Sequence, residues 1–210
     1  MPAQEPSDCL DPGLVELIQL KLAVSATYLH LPGVRRHIRR SLELGVSCEA
    51  IVEVVKLSTV IGIHSYATAA PILVEELDER AQNTTPPAPT PVCDSLRTNG
   101  RFNPEWEPIA ALSPEWLEAF LAAAIGIWRD GVLPQLWIEL LCIAGDAAVT
   151  HMYSSGTRRH IAAALELGAT REQILAVLGV VSGQGRDAFE VAMPILDAEW
   201  ARLERGSAGQ

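Results

Sequence analysis

The chain has 210 residues, of which 49% are hydrophobic and 20% charged, with a formal net charge of −10 and a pI near 4.9. That composition supports one good core or two linked small ones and excludes disorder throughout. The acidic balance argues against nucleic acid or an anionic membrane as partner, because phosphate binding needs a positive field.

The opening "MPAQEPSDCL" has neither a basic run nor an apolar core, so residues 1–11 read as a disordered or extended N-terminus without a visible secretory signal. No apolar run approaches the ~18 residues of a membrane span, and the protein reads as cytoplasmic. A first helix is expected over 12–29, opened by Pro12. After the break "HLPG" a second helix carries "VRRHIRRSLEL" and closes at Gly45, where a glycine takes the left-handed conformation. Ser47 can cap a third helix, with Glu49 in its first turn. That helix should kink or break near the Gly62–Pro71 segment.

The stretch "QNTTPPAPTPVCDSLRTNG" is rich in proline and threonine and reads as an extended linker, 82–104. Ser113-Pro114-Glu115 then opens an amphipathic helix to about Trp128. Another helix is expected over 134–152, a break at "YSSG", a helix closing at Gly168, and a capping box of Thr170 and Gln173 opening the next. Residues 204–210 read as a tail. Strand signals are absent because the β-branched residues fall in 3.6-period patterns, so the fold class is all-α.

The segment "GVRRHIRRSLELG" at 33–45 returns as "GTRRHIAAALELG" at 156–168. The interval from His37 to His160, 123 residues, also pairs Glu16 with Glu139, Gly62 with Gly185 and Pro71 with Pro194 without a gap. Carried over 14–77 and 137–200, it matches roughly a third of positions identically. The chain thus reads as two helical repeats, 12–81 and 105–203, the second with a leading helix, packed as a pseudo-twofold pair or pseudo-dimer. "RRHIRR" reads as a solvated face, since its copy loses half the charge. Cys9, Cys48, Cys93 and Cys142 form no CxxC pair, which fits reduced single thiols, with Cys142 a small buried side chain.

His160 shares a helix face with Thr157, Ile161, Ala164 and Leu165, and His37 repeats that geometry, so both should point inward. The neighbouring arginines should lie nearer the rim. The other histidines, His30, His64 and His151, map under the same interval onto Tyr153, Asp187 and Tyr28. Repeat one therefore offers Tyr28, His30, His37 and His64, and repeat two His151, Tyr153, His160 and Asp187. Glu16 and Glu139 are either first-turn glutamates complementing the helix dipole or functional acids. His151, His160 and Asp187 are the candidate ligands for a divalent metal, as a two-histidine, one-carboxylate face.

The run "ELLCIAGDAAVTHMYSSGTRRHIAAALELGATREQILAVL" resembles the carboxymuconolactone decarboxylase and alkylhydroperoxidase D (AhpD-like) superfamily. The features that carry it are Glu139-Leu140, His160, and Gly168-Ala169-Thr170 with Glu172 and Ile174; "PEWEPIAALSPEWLEAFLAAAIGIWRDGVL" is similar to the family's leading helix. The resemblance implies tandem all-helical AhpD-like units, assembly as a homo-oligomer (dimer or trimer), and sites between repeats or subunits. The peroxidase branch carries a CxxC seven and four residues before the histidine, positions held here by Tyr153 and Gly156, and by His30 and Gly33. Without both sulfurs that thiol mechanism is not expected. The decarboxylase branch keeps the histidine without CxxC, although this chain is about two residues longer between glutamate and histidine than that branch's pattern.

The leading expectation is a lyase-like enzyme of the decarboxylase branch, acting on a small organic acid or cyclic metabolite by proton transfer. His160 is then the principal acid or base with Glu139 setting its tautomer, and His37 with Glu16 serves the equivalent site. Tyr153 or His151 would orient the substrate, with Tyr28 and His30 as counterparts, and Arg159 would receive a carboxylate if it turns inward. No cofactor is required for that reading. Two alternatives stand beside it: a metal-dependent oxygenase or lyase using the His/Asp clusters, and a non-catalytic binding or assembly protein with structural histidines. Repeat two, charge-poor around "RRHIAAA", is favoured as the active copy.

Overall fold

The computed structural model describes residues 9–77 and 89–207, the side chains of Asp187 and Ser207 excepted. The expected N-terminal extension therefore lies outside the described residues as far as residue 8, and the tail from residue 208. The elements are α1 Pro12–Ala23, α2 Leu31–Glu43, α3 Cys48–Thr59, a 3-10 turn Val60–Gly62, α4 Ile63–Leu77, α5 Pro91–Thr98, a 3-10 turn Pro104–Trp106, α6 Glu107–Leu112, α7 Pro114–Asp130, α8 Gln135–Ala147, α9 Ser154–Glu166, α10 Arg171–Ser182 and α11 Gln184–Ser207. No strand occurs among the described residues, so the fold is all-α.

The local signals act where the chemistry places them. Asp11 accepts hydrogen bonds from the Gly13 and Leu14 amides (2.7 and 3.3 Å), opening α1 with Pro12 in its first turn. Ser47 caps α3 through the Ala50 amide at 3.2 Å, and Thr170 and Gln173 form the capping box of α10. Gly45 and Gly168 leave α2 and α9 at φ 82 and 92.

Two helix ends need correction. α1 stops at Ala23 rather than 29, and α8 at Ala147 rather than 152. In each case the chain folds into a tight turn: the amides of Tyr28 and Leu29 bond to Ser25, those of His151 and Met152 to Ala148, and His30 and Tyr153 reach back to Ala23 and Asp146. Leu29 and Met152 hold these turns at φ 45 and 55. The expected break after α3 falls at the 3-10 turn before Ile63, whereas Pro71 lies inside α4 without ending it.

The supposed linker contains α5. Pro91 sits in the first turn of a helix, where its missing amide is no loss, and Glu118 of α7 accepts from the Val92 and Cys93 amides at 2.7 and 3.0 Å. Residues 82–88 of that stretch lie outside the described residues. The helical run Cys48–Leu77 has the length and composition of a membrane span, with mean hydropathy 1.4, contrary to the sequence reading. Val54 and Leu57 enter one core and Ile63, Ala67 and Ala70 another, while Val52, Val55, Ile72, Leu73 and Val74 are exposed.

The larger core mixes both halves of the chain: Leu14, Leu17 and Ile18 of α1 and Val54 of α3 lie against Ile138, Leu141 and Ile143 of α8 and Val177 of α10. Each such side chain contributes about 1.5–3 kcal/mol of burial. The smaller core joins α4 to α5, α6 and α7 through Cys93, Ile109, Leu117 and Leu121. The leading helix α7 thus packs on the first half. Glu53 of α3 fixes its exit, accepting from the Val132 and Leu133 amides at 2.7 and 2.8 Å. α2 and α3 stand at the same 123-residue interval from both ends of α9 and α10, and α1 starts at that interval from the start of α8.

Candidate functional site

Two histidine–glutamate pairs are built alike. His160 on α9 is 9% exposed, and its Nδ1 lies 2.6 Å from Glu139 Oε2 on α8. Trp128 Nε1 donates to the other oxygen of that carboxylate at 3.2 Å. His37 on α2 repeats this with Glu16 on α1 at 2.8 Å. Glu139 and Glu16 lie past the first turns of their helices, so the helix-dipole reading gives way to a direct pairing. With the Nδ1 hydrogen donated to the carboxylate, a tautomer inferred from these partners, Nε2 carries the lone pair. Arg159 brings a guanidinium nitrogen to 3.2 Å from His160 Nε2, and Arg36 stands 3.5 Å from His37 Nε2. Both arginines are otherwise exposed, at the rim.

The second half gathers more around its pair. Asp146, in the last turn of α8, is 3% exposed; its Oδ2 stands 3.8 Å from His160 Nε2 and its Oδ1 3.9 Å from His64 Nδ1. Oδ2 is buried without a hydrogen-bond partner. His64 comes from α4, in the first half of the chain. Its Nδ1 lies 2.7 Å from His151 Nε2, and its ring stacks on Tyr153 at 3.9 Å. The Tyr153 hydroxyl donates to Glu105 at 2.6 Å, and Ser155 Oγ donates to the same oxygen at 3.1 Å.

A glycine makes this cluster possible. A Cβ at Gly156 would lie 2.6 Å from Tyr153 Cδ1 and 2.9 Å from Asp146 Cγ, closer than real side chains approach. In the first half the position of Asp146 is held by Ala23 and that of His151 by Tyr28, whose ring lies 5.3 Å from His30. Gly33 faces a looser environment, with a Cβ there 2.7 Å from His30 Nδ1 and 3.3 Å from the Ala23 Cβ.

Burial shapes the electrostatics. It raises the Asp146 carboxyl pKa, opposed by His160, Lys21, Arg159 and His151. It holds His64 down at about 3, with His151, Arg159 and His160 adding to the effect, so that imidazole is neutral. Burial and then the bond to Glu105 raise the Tyr153 phenol. Burial also raises Glu105, but the hydrogen bonds from Tyr153, Ser155 and Asn103 outweigh it and leave that carboxylate low. Lys21 is buried beneath the cluster, its Nζ 3.4 Å from the Leu57 carbonyl, and burial lowers its pKa against the pull of Cys142 and Asp146.

The expected residues thus divide. His160 with Glu139 and His37 with Glu16 meet as pairs, whereas His151 and Tyr153 join His64 and Asp146. His64, grouped by sequence with Tyr28, His30 and His37, instead reaches the other half, because α4 delivers it against the turn between α8 and α9. Of the sequence's metal candidates, His160 is bonded to Glu139, and the Asp187 side chain lies outside the described residues; the donors that do converge are His64, Asp146 and His151. Asp146, Glu105, Trp128 and Lys21 were missed. A signal existed for two of them: Asp146 and Lys21 are charges in apolar helices where the repeat counterparts are Ala23 and Ala144. The larger surface groove runs along Leu31, Arg35, Arg36, Arg39 and Glu43 of α2, while a small cavity beside Lys21 is lined by Ser25, Ser58 and Gly145.

Comparison with known proteins accords with this arrangement. Residues 114–198 match the model of the carboxymuconolactone decarboxylase family. No protein of curated function matches. A crystal structure from Burkholderia xenovorans LB400, of a protein provisionally described as a gamma-carboxymuconolactone decarboxylase subunit, is 35% identical with a TM-score of 0.85; the match covers 95% of this chain and 82% of that one. With that identity sustained over nearly its whole length, the chain belongs to the carboxymuconolactone decarboxylase family.

Proposed function

We propose that the protein is a carboxymuconolactone decarboxylase-like enzyme acting on a small organic acid or cyclic metabolite by acid-base chemistry centred on His160. The observation that carries this is the 2.6 Å contact of His160 Nδ1 with Glu139, which fixes the tautomer and leaves Nε2 as the proton acceptor. Arg159, 3.2 Å from that nitrogen and otherwise exposed, is placed to exchange its contact for a substrate carboxylate. His151 and Tyr153 orient the substrate, and His37 with Glu16, Tyr28 and His30 forms the lesser counterpart. Thiol peroxidase chemistry is disfavoured, since Tyr153 and Gly156 hold the two thiol positions and burial pushes Cys142 far above the ordinary thiol range.

The two repeats are further proposed to pack as a pseudo-twofold pair. Thr27 and Thr150, counterparts under the 123-residue interval, touch through their hydroxyls at 2.8 Å, as equivalent residues on such an axis must. Assembly as a homo-oligomer is proposed with it, supported by the exposed Phe189, Ile195 and Trp200 of α11.

The test is carbon dioxide release and isomerisation across a panel of small cyclic carboxylic acids. His160→Ala should lower turnover by about 10²–10⁴-fold, the usual worth of a general acid or base. Wild-type turnover in both His160→Ala and His37→Ala would remove the proposal.

A further inference from the structure

We propose that His64 Nδ1, His151 Nε2 and an oxygen of Asp146 form a binding site for one first-row divalent metal ion per chain, of the zinc or iron(II) class. The three ligand atoms lie within 4.8 Å of one another. They come from separate places in the fold: the start of α4, the end of α8 and the turn that follows it. Zinc bound at about 2.0–2.2 Å keeps neighbouring tetrahedral ligands about 3.3 Å apart. The observed separations of 2.7 Å between the imidazoles and 3.9 Å from His64 to Asp146 bracket that value.

The side chains alone leave a polar group unsatisfied. Two imidazole nitrogens at 2.7 Å share one hydrogen, which leaves Asp146 beyond hydrogen-bond reach of both His64 and His160, at 3.9 and 3.8 Å. Asp146 is 3% exposed and its Oδ2 has no partner, an arrangement that costs free energy in a buried carboxylate. A cation between the three groups balances the charge of that buried carboxylate. Two imidazoles and one carboxylate suit borderline first-row ions and disfavour magnesium or calcium, which prefer all-oxygen shells.

The conformation of the turn contributes as well. His151 stands in a turn closed by the bonds of the His151 and Met152 amides to Ala148 and of Tyr153 to Asp146, so two of the ligands share one hydrogen-bonded loop. His64 is held by its stack on Tyr153, which is anchored in turn on Glu105. The first half has Ala23 and Tyr28 at the positions of Asp146 and His151, which sets the stoichiometry at one rather than two.

The experiment strips the full-length protein with a chelator, dialyses it against Zn²⁺ or Co²⁺ alone, and measures bound metal by mass spectrometry and the visible absorption of Co²⁺. The expected result is about one equivalent, with affinity reduced at least about tenfold in His64→Ala, His151→Gln and Asp146→Asn and unchanged in His30→Ala. Circular dichroism checks each variant. If His64→Ala misfolds, His151→Gln decides, because that residue lies outside the helices. Wild-type protein that binds neither ion at micromolar concentration, or a folded His151→Gln that binds as tightly as wild type, overturns the site. His160→Ala should keep its metal whatever its turnover, which separates failure here from failure of the acid-base reading.

Discussion

Gly156→Ala offers a sharp test of how the site is packed. The added Cβ would overlap Asp146 Oδ2 and lie 2.6 Å from the Tyr153 ring, so the ring must retreat by roughly 1 Å and the Asp146 carboxylate by more to reach ordinary contact. Neither retreats freely. The Tyr153 ring is pinned by its stack on His64 and its bond to Glu105, and Asp146 is buried. Overpacking of this kind costs about 1–3 kcal/mol, and loss of the tyrosine–glutamate bond would add about 1.5–3 kcal/mol if it breaks. The gain in helix propensity returns at most about 1 kcal/mol. A net loss of about 1–3 kcal/mol corresponds to a Tm lower by about 3–10 °C in a chain of this size. Gly33→Ala is the matched control: its Cβ meets the half-buried His30 and the small Ala23, and we expect a change within about 0.5–1 kcal/mol. Urea and thermal unfolding followed by circular dichroism measure both. Equal losses, or none in Gly156→Ala, would refute the claim that Asp146 occupies the room a side chain at 156 needs.

Glu139→Gln should lower turnover by about 10²–10³-fold, because an amide facing Nδ1 can donate to it and so favours the tautomer with hydrogen on Nε2; a folded variant that turns over at the wild-type rate would contradict this. Glu53→Ala removes the hydrogen bonds from the Val132 and Leu133 amides, the first partly buried and the second buried, and should destabilise the fold by about 2–4 kcal/mol, read from denaturant midpoints at constant m. Glu118 caps α5: burial raises its pKa, but the bonds from the Cys93 and Val92 amides outweigh this and hold it below the ordinary carboxylate value. Its folded pKa being depressed, its contribution is present above about pH 4.5 and lost as the pH falls through the lowered value. Glu118→Gln should therefore flatten the acid limb of stability below about pH 4.5, and an unchanged limb would count against the cap.

Much of this was legible in the chain because it is local. Proline at a helix start, the Thr170/Gln173 box and the left-handed Gly45 and Gly168 act within a few residues, and the 123-residue interval aligned His37 with His160 and Glu16 with Glu139. The inward aim of both histidines followed from 3.6-residue periodicity. What stayed hidden was non-local. That His64 leaves its own repeat depends on the 3-10 turn before α4, which a hydrophobic pattern does not encode. Asp146 is buried against Gly156, a packing relation between α8 and α9 that no local pattern encodes. The helix α5 was masked by prolines and threonines, since its cap is Glu118, distant in sequence.

The exchange of contacts between the halves bears on how the chain can be divided. Residues 114–198 carry the family's own pattern, yet the segment that enters α8 is held by Glu53, and the histidine cluster is completed by His64. A fragment cut at the proline-rich stretch would lose both, leaving the Val132 and Leu133 amides bare and Asp146 without its facing imidazole. The residues that match the family pattern therefore take both the anchor of their α8 entry and the imidazole facing Asp146 from chain that precedes the proline-rich stretch.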